Sequence, residues 1–188
     1  MKVGGLLLTP GAGSSREHPS LLAIEQAVQP LPVLRHDFPY RRNGKKAPDR
    51  APVLLADIVE AASSFAERTK LDPASLVLGG RSMGGRICSM AVADGLPAAG
   101  LVLISYPLHP PGKPERLRVE HLPNLKVPCL FLSGTRDAFG TPAELEAATR
   151  TIPGPVTHVW IDGAAHELKR ADQRVADEVV SWLAGLRG

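Results

Sequence analysis

The sequence predicts an α/β fold of three layers, α/β/α, in which a mostly parallel sheet of about six strands is covered by helices on both faces. Three observations carry that expectation. Short apolar runs bounded by glycine or proline alternate with longer segments of helical period, as they do where strands are buried on both sides. Hydrophobic residues make up 44% of 188 positions, enough for one sizeable core, so residues 1–188 are expected to form a single domain. The 18 glycines and 18 prolines, about a fifth of the chain, stay below the level of about 25–30% that marks disorder.

Taken in order, strands are expected at residues 3–8, 32–36, 75–78, 100–104, 129–132 and 156–161, each a short apolar run between turn residues. Between the second and third strands, Leu55, Ile58, Val59, Ala62, Phe65 and Ala66 recur at spacings of three and four, with Pro52 near the start of the helix they predict. Val175, Val179, Trp182 and Leu183 share the face of a last helix, expected to close the fold over an end of the sheet. The loop 106–114, YPLHPPGKP, carries four prolines and makes a stiff excursion at a strand's carboxyl end, the edge where open α/β sheets bind ligands. The basic run Arg41-Arg42-Asn43-Gly44-Lys45-Lys46 follows the second strand on that same edge. It reads first as a solvated loop and second as an attractor of an anionic substrate.

Composition excludes several classes of function. A net charge of only +3 and 4% aromatic residues argue against a stacking surface for single strands, so no nucleic-acid partner is expected. Cys88 and Cys129 each lie in an apolar run without Cys-x-x-Cys spacing, which predicts buried free thiols rather than a disulfide or a metal site. The first apolar run is too short for a signal-peptide core, and no stretch reaches the roughly 18 apolar residues of a membrane span, so a cytoplasmic protein without membrane attachment is expected.

The chemistry resides in Gly80-Arg81-Ser82-Met83-Gly84, which follows the apolar run of the third strand and opens a helical segment. Gly-x-Ser-x-Gly between strand and helix is a nucleophile elbow: the turn is so sharp that side chains two residues either side of the serine would collide. Ser82 then stands at a helix amino terminus, where the dipole favours developing negative charge and the Met83 N–H can donate to an oxyanion. A serine hydroxyl is a weak nucleophile, so a histidine base and a carboxylate that orients it should exist. Of six histidines, His166 follows the last strand on a small-residue loop and fits the order Ser, Asp, His of this architecture; His109, on the proline-rich loop, could line the pocket. Asp137, after the fifth strand, is the leading acid, with Asp162 as competitor four residues before His166. The second oxyanion donor is expected from Ala12 in the loop TPGAGSS after the first strand. That loop also admits a dinucleotide reading, with Gly11 and Gly13 at the phosphates and Asp37 at a ribose, but Arg16 stands where the third glycine belongs.

Together, PGAGSS, GGRSMGG, SGTRDAFG and DGAAHEL resemble the α/β-hydrolase superfamily over essentially the whole chain, and within it the small, cap-less, dienelactone-hydrolase-like group of predicted bacterial hydrolases. That group is also similar to a eukaryotic chromatin-complex subunit and a testis-expressed protein; SYPLHPPGKPERLR is its most specific stretch here. The resemblance implies Ser82 as nucleophile, Asp137 as acid, His166 as base, and Ala12 and Met83 as oxyanion donors. It implies a fold that lacks the superfamily's first two strands, with its six strands in the order 2-1-3-4-5-6 and no lid domain. In that group the oxyanion loop usually begins His-Gly, whereas Pro10 stands here, and dienelactone hydrolases use cysteine where this chain has Ser82. The expected function is a serine hydrolase acting on a small-molecule acyl ester or thioester, with no metal or organic cofactor. The alternative is a hydrolase-fold interaction module with weak or no catalysis.

Overall fold

The computed structural model describes residues 3–186. Six parallel strands, β1 (Gly5–Thr9), β2 (Val33–Arg35), β3 (Leu76–Arg81), β4 (Gly100–Ile104), β5 (Cys129–Gly134) and β6 (Val156–Ile161), form one sheet in the order β2-β1-β3-β4-β5-β6. Between them run α1 (Pro19–Ala27), α2 (Pro39–Arg42), α3 (Ala51–Thr69), α4 (Met83–Ala93) and α5 (Pro142–Thr149), and α6 (Asp172–Gly185) follows the last strand. The order reverses at β1 and β3, so the loops after these two strands diverge and leave a crevice at their carboxyl ends.

Alternation along the strands builds the three layers. Leu7, Leu78, Leu103 and Phe131 point to one face, where Leu54 and Phe65 of α3, Ile87 of α4 and Leu145 of α5 cover them. Leu8, Val77, Val102 and Leu130 point to the other, under Leu21 and Ile24 of α1 and Val175 and Val179 of α6. Burying each such side chain stabilises by about 1.5–3 kcal/mol, which makes both faces cohesive. Among the described residues, no helix is long and apolar enough to cross a membrane.

Several boundaries and faces differ from the sequence reading. β3 runs three residues beyond its apolar stretch, because Gly79, Gly80 and Arg81 continue the pairing with Val102, Leu103 and Ile104; β5 likewise extends through Ser133 and Gly134. β1 is shifted to Gly5–Thr9, and β2 is shorter than the expected segment. On α3, Val59 is 44% exposed, while Leu54 and Ala61 lie in the core. The buried stripe follows 54, 58, 61 and 65, and Val59, one residue past Ile58, is turned about a quarter of the circumference away. α6 packs beside α1 on one face of the sheet rather than over its end, since its buried residues share a cluster with Leu21, Ile24, Val102 and Leu130.

Cys88 and Cys129 are buried free thiols, each pushed up to about 12 by burial. His121 makes a 2.8 Å hydrogen bond with Ser89 Oγ on α4. Burial, with the nearby Arg86 charge second, lowers its pKa from 6.5 to about 4. The folded state therefore holds this ring neutral where the unfolded chain takes up a proton. The resulting stability is complete above pH 6.5 and is lost as pH falls towards 4. His18 and His158 shift in the same direction, in each case chiefly by burial. Urea unfolding at a series of pH values between 7 and 4 is expected to show declining midpoints, and a His121→Gln variant a shallower decline. An unchanged slope would assign the loss to other groups.

Candidate active site

The site forms where β3 turns into α4. Ser82 has φ 47° and ψ −119°, a strained conformation for a residue with a side chain. The glycines around it are sterically required. A Cβ on Gly80 would lie 2.1 Å from the Thr9 carbonyl oxygen, and one on Gly84 would lie 2.4 Å from the Pro10 carbonyl oxygen. The elbow is therefore wedged against the end of β1, and the loop that follows β1 touches it: a Cβ on Gly11 would be 3.5 Å from the Ser82 Cβ.

Three side chains from three loops meet here. His166 Nε2 lies 2.9 Å from Ser82 Oγ, and His166 Nδ1 lies 2.8 and 3.0 Å from the two Asp137 oxygens. Asp137 is 3% exposed and also accepts a 2.8 Å bond from the Phe139 N–H, so both partners of its carboxylate are fixed inside the protein. The Phe139 ring stacks on the imidazole at 4.0 Å. Asp162, the competing acid, is exposed and accepts from Thr135 Oγ1 at 3.1 Å; Thr135 in turn accepts from the Gly163 N–H. It caps the histidine loop and does not meet the ring.

Ala12 and Met83 both line the cavity beside Ser82. Met83 is the first residue of α4, so its N–H is one of the first-turn donors without an intrahelical acceptor. The Ala12 carbonyl accepts a 2.9 Å bond from the hydroxyl of buried Tyr40, which anchors the loop from behind. In the loop that also admitted a dinucleotide reading, Gly11 lies beside Ser82, and the Asp37 carboxylate accepts the Arg16 N–H at 2.7 Å.

Two residues that the sequence reading passed over hold His166. Arg81 Nη2 and Ser105 Oγ both donate to the His166 carbonyl, at 3.1 and 2.8 Å. Arg81 is 4% exposed, and burial pulls its guanidinium down from its ordinary value while Glu167, 3.6 Å away, opposes that shift. Arg81 also donates to His18 Nε2. Ser105, at the end of β4, has φ 50° and is fully buried. The position of Arg81 beside Ser82 was a signal available in the motif; nothing local marked Ser105.

The other histidines are engaged elsewhere. His36 bonds Asp57 at 2.6 Å, His158 bonds Thr149, and His109 is buried outside the cavity, its backbone N–H donating to the Phe139 carbonyl. No member of the basic run from Arg41 to Lys46 lines this cavity. Arg42 turns back to Asp57, 2.7 Å away, while among the described residues Arg41, Lys45 and Lys46 pair with no acid. The guanidinium groups at the cavity are instead those of Arg81, Arg86 and Arg118.

The sequence model of a family described as an alpha/beta hydrolase domain matches residues 3–182. A dienelactone hydrolase from Anabaena variabilis superposes with a TM-score of 0.73 at 21% identity, covering 98% of this chain and 87% of that one. A structure from work on two metagenome-derived lipolytic enzymes gives 0.72 at 17% identity, with 98% and 96% covered. The type II thioesterase of the borrelidin biosynthetic cluster gives 0.67 at 19% identity, with 95% and 92% covered. At these identities the likeness establishes the fold.

The wedge at the elbow is testable by stability alone. Gly84→Ala forces a methyl group onto backbone oxygen and is expected to cost about 2 kcal/mol or more in urea unfolding. Gly13→Ala, whose added Cβ meets nothing within 4 Å, is expected to change stability by less than about 0.5 kcal/mol.

Proposed function

The chain belongs to the alpha/beta hydrolase domain family, and from that membership we propose that it is a serine hydrolase that cleaves a small acyl ester or thioester through an acyl-enzyme. The observation that carries the proposal is the continuous relay from Ser82 Oγ through His166 to Asp137, with links of 2.9 and 2.8 Å. Ser82 Oγ attacks the substrate carbonyl while His166 Nε2 takes its proton. Asp137 holds the ring in the tautomer that leaves Nε2 free to accept, and its charge stabilises the imidazolium that forms. The oxyanion is met by the N–H groups of Met83 and Ala12, donors already in place before charge develops. His166 then returns the proton to the departing alcohol or thiol, and water, activated by the same ring, releases the acid.

Each protein group in this cycle is a side chain or backbone donor of the chain itself. The Phe139 ring stacked on His166 restricts its rotation between the two proton transfers. The cavity has a volume of about 500 Å³ and no inserted domain covers it, which favours short or accessible acyl groups over long lipid tails. Thioesterase and lipolytic chemistry in proteins of the same fold supports acyl transfer to water as the reaction class.

Treatment with a fluorophosphonate should modify Ser82, with the adduct located by mass spectrometry. A folded protein left unmodified at Ser82 would favour the interaction module instead. His166→Ala should abolish labelling and turnover. Asp137→Asn should lower turnover by about 10⁴, as the same change does in serine proteases. Asp162→Asn, which removes only a loop cap, should cost less than about tenfold; a reversed order of severity in steady-state assays of para-nitrophenyl acetate would assign the acid to Asp162.

A further inference from the structure

Arg86 and Arg118 line the cavity beside Ser82 and also line a second cavity of about 300 Å³ that adjoins it. Arg86 sits one turn along α4 from the serine, its backbone N–H donating to the Ser82 carbonyl at 3.1 Å. Its side chain has no hydrogen-bond or ion-pair partner among the described residues, and its Nε is buried with no acceptor. Among the described residues, the Arg118 guanidinium donates to the Pro107 carbonyl alone, at 3.3 Å. Burial and the neighbouring Arg86 charge push the Arg118 guanidinium down from its ordinary value.

Like charges brought together without an acid cost free energy unless something anionic joins them. The acids near this pair are few. Glu167, which also lines the cavity beside Ser82, is engaged by Arg81, and Glu120 lines the second cavity together with Arg116 and the pair. Three guanidinium groups there face one exposed carboxylate. Arg81 differs, because its donors are taken by His18, Glu167 and the His166 carbonyl.

Resting on the hydrolase reading, we propose that Arg86 and Arg118 form an anion subsite, and that the substrate is an ester or thioester bearing a carboxylate or phosphate that lies between them while its carbonyl meets Ser82. Two guanidinium forks match the paired oxygens of either group. The apolar part of the cavity wall, formed by Met83, Pro107 and Phe139, then receives the short chain that links the anion to the carbonyl.

Two substrate pairs test this and separate the two sources of charge. The mono-para-nitrophenyl ester of glutaric acid is compared with para-nitrophenyl hexanoate, and the acetyl ester of glycerol phosphate with that of glycerol. The native enzyme is expected to prefer the anionic member of at least one pair by about tenfold in kcat/KM. The pair that shows the preference identifies a carboxylate on the acyl side or a phosphate on the alcohol side. Arg86→Gln and Arg118→Gln should each lower that ratio about tenfold, and Arg41→Gln, in the solvated basic run, should leave it unchanged. Equal kcat/KM within both pairs, or a preference that survives both cavity variants, would overturn the subsite while Ser82 still labels with a fluorophosphonate. Loss of that labelling in the native protein would overturn the hydrolase reading and this inference with it.

Discussion

The contact on which the rest of this structure depends is the approach of the β3–α4 turn to the end of β1. Gly80 and Gly84 bring backbone to within a distance of the Thr9 and Pro10 carbonyls that no side chain could share. That closeness forces Ser82 into a positive φ and projects its hydroxyl into the crevice where the strand order reverses. The strain is held by the parallel pairing of β3 with strands on both sides, through the glycines themselves. The same wedge fixes the loop after β1, so the Ala12 and Met83 backbones arrive at one cavity together.

Positioning of His166 follows a different logic. Its loop carries small residues before the ring and buried Leu168 after it, and two side chains donate to the His166 carbonyl oxygen. A buried arginine is an expensive way to supply such a donor, since desolvation opposes its charge. The cost is offset because Arg81 simultaneously engages Glu167 and His18, tying three segments that meet only in the folded state. Ser105 adds the second donor from a positive-φ position at the end of β4. His166 is thus held from behind through its backbone and from the side by Phe139 and Asp137.

Charge in the sequence and charge at the cavity are distributed differently. The conspicuous cluster at residues 41–46 spends Arg42 on Asp57 and leaves the rest to water. The cationic wall near Ser82 is assembled from Arg86 and Arg118, which are separated by the whole of β4 and the proline-rich connection. Neither stands out in a linear reading, because each is a single arginine in an unremarkable context.

Much was determined by the sequence alone because it is encoded within a few residues. Apolar runs such as 100–104 and 156–161 are strands because both faces must be buried, and their bounds coincide with those of β4 and β6. The glycine spacing around Ser82 dictates a sharp turn through local sterics, and the buried state of Cys88 and Cys129 follows from their neighbours. Which face of α3 is buried was only partly legible, since Val59 and Leu54 are equally apolar and packing alone chooses between them. The meeting of His166 with Ser82 and with Asp137 joins residues 84 and 29 positions apart. Bringing Asp137 rather than Asp162 to the His166 ring, and gathering Arg81, Ser105, Arg86 and Arg118 nearby, required the register of β4, β5 and β6 and the path of their loops. Only tertiary structure decided these, because a side chain's partner across a sheet edge is set by where whole strands end and not by the residues beside it.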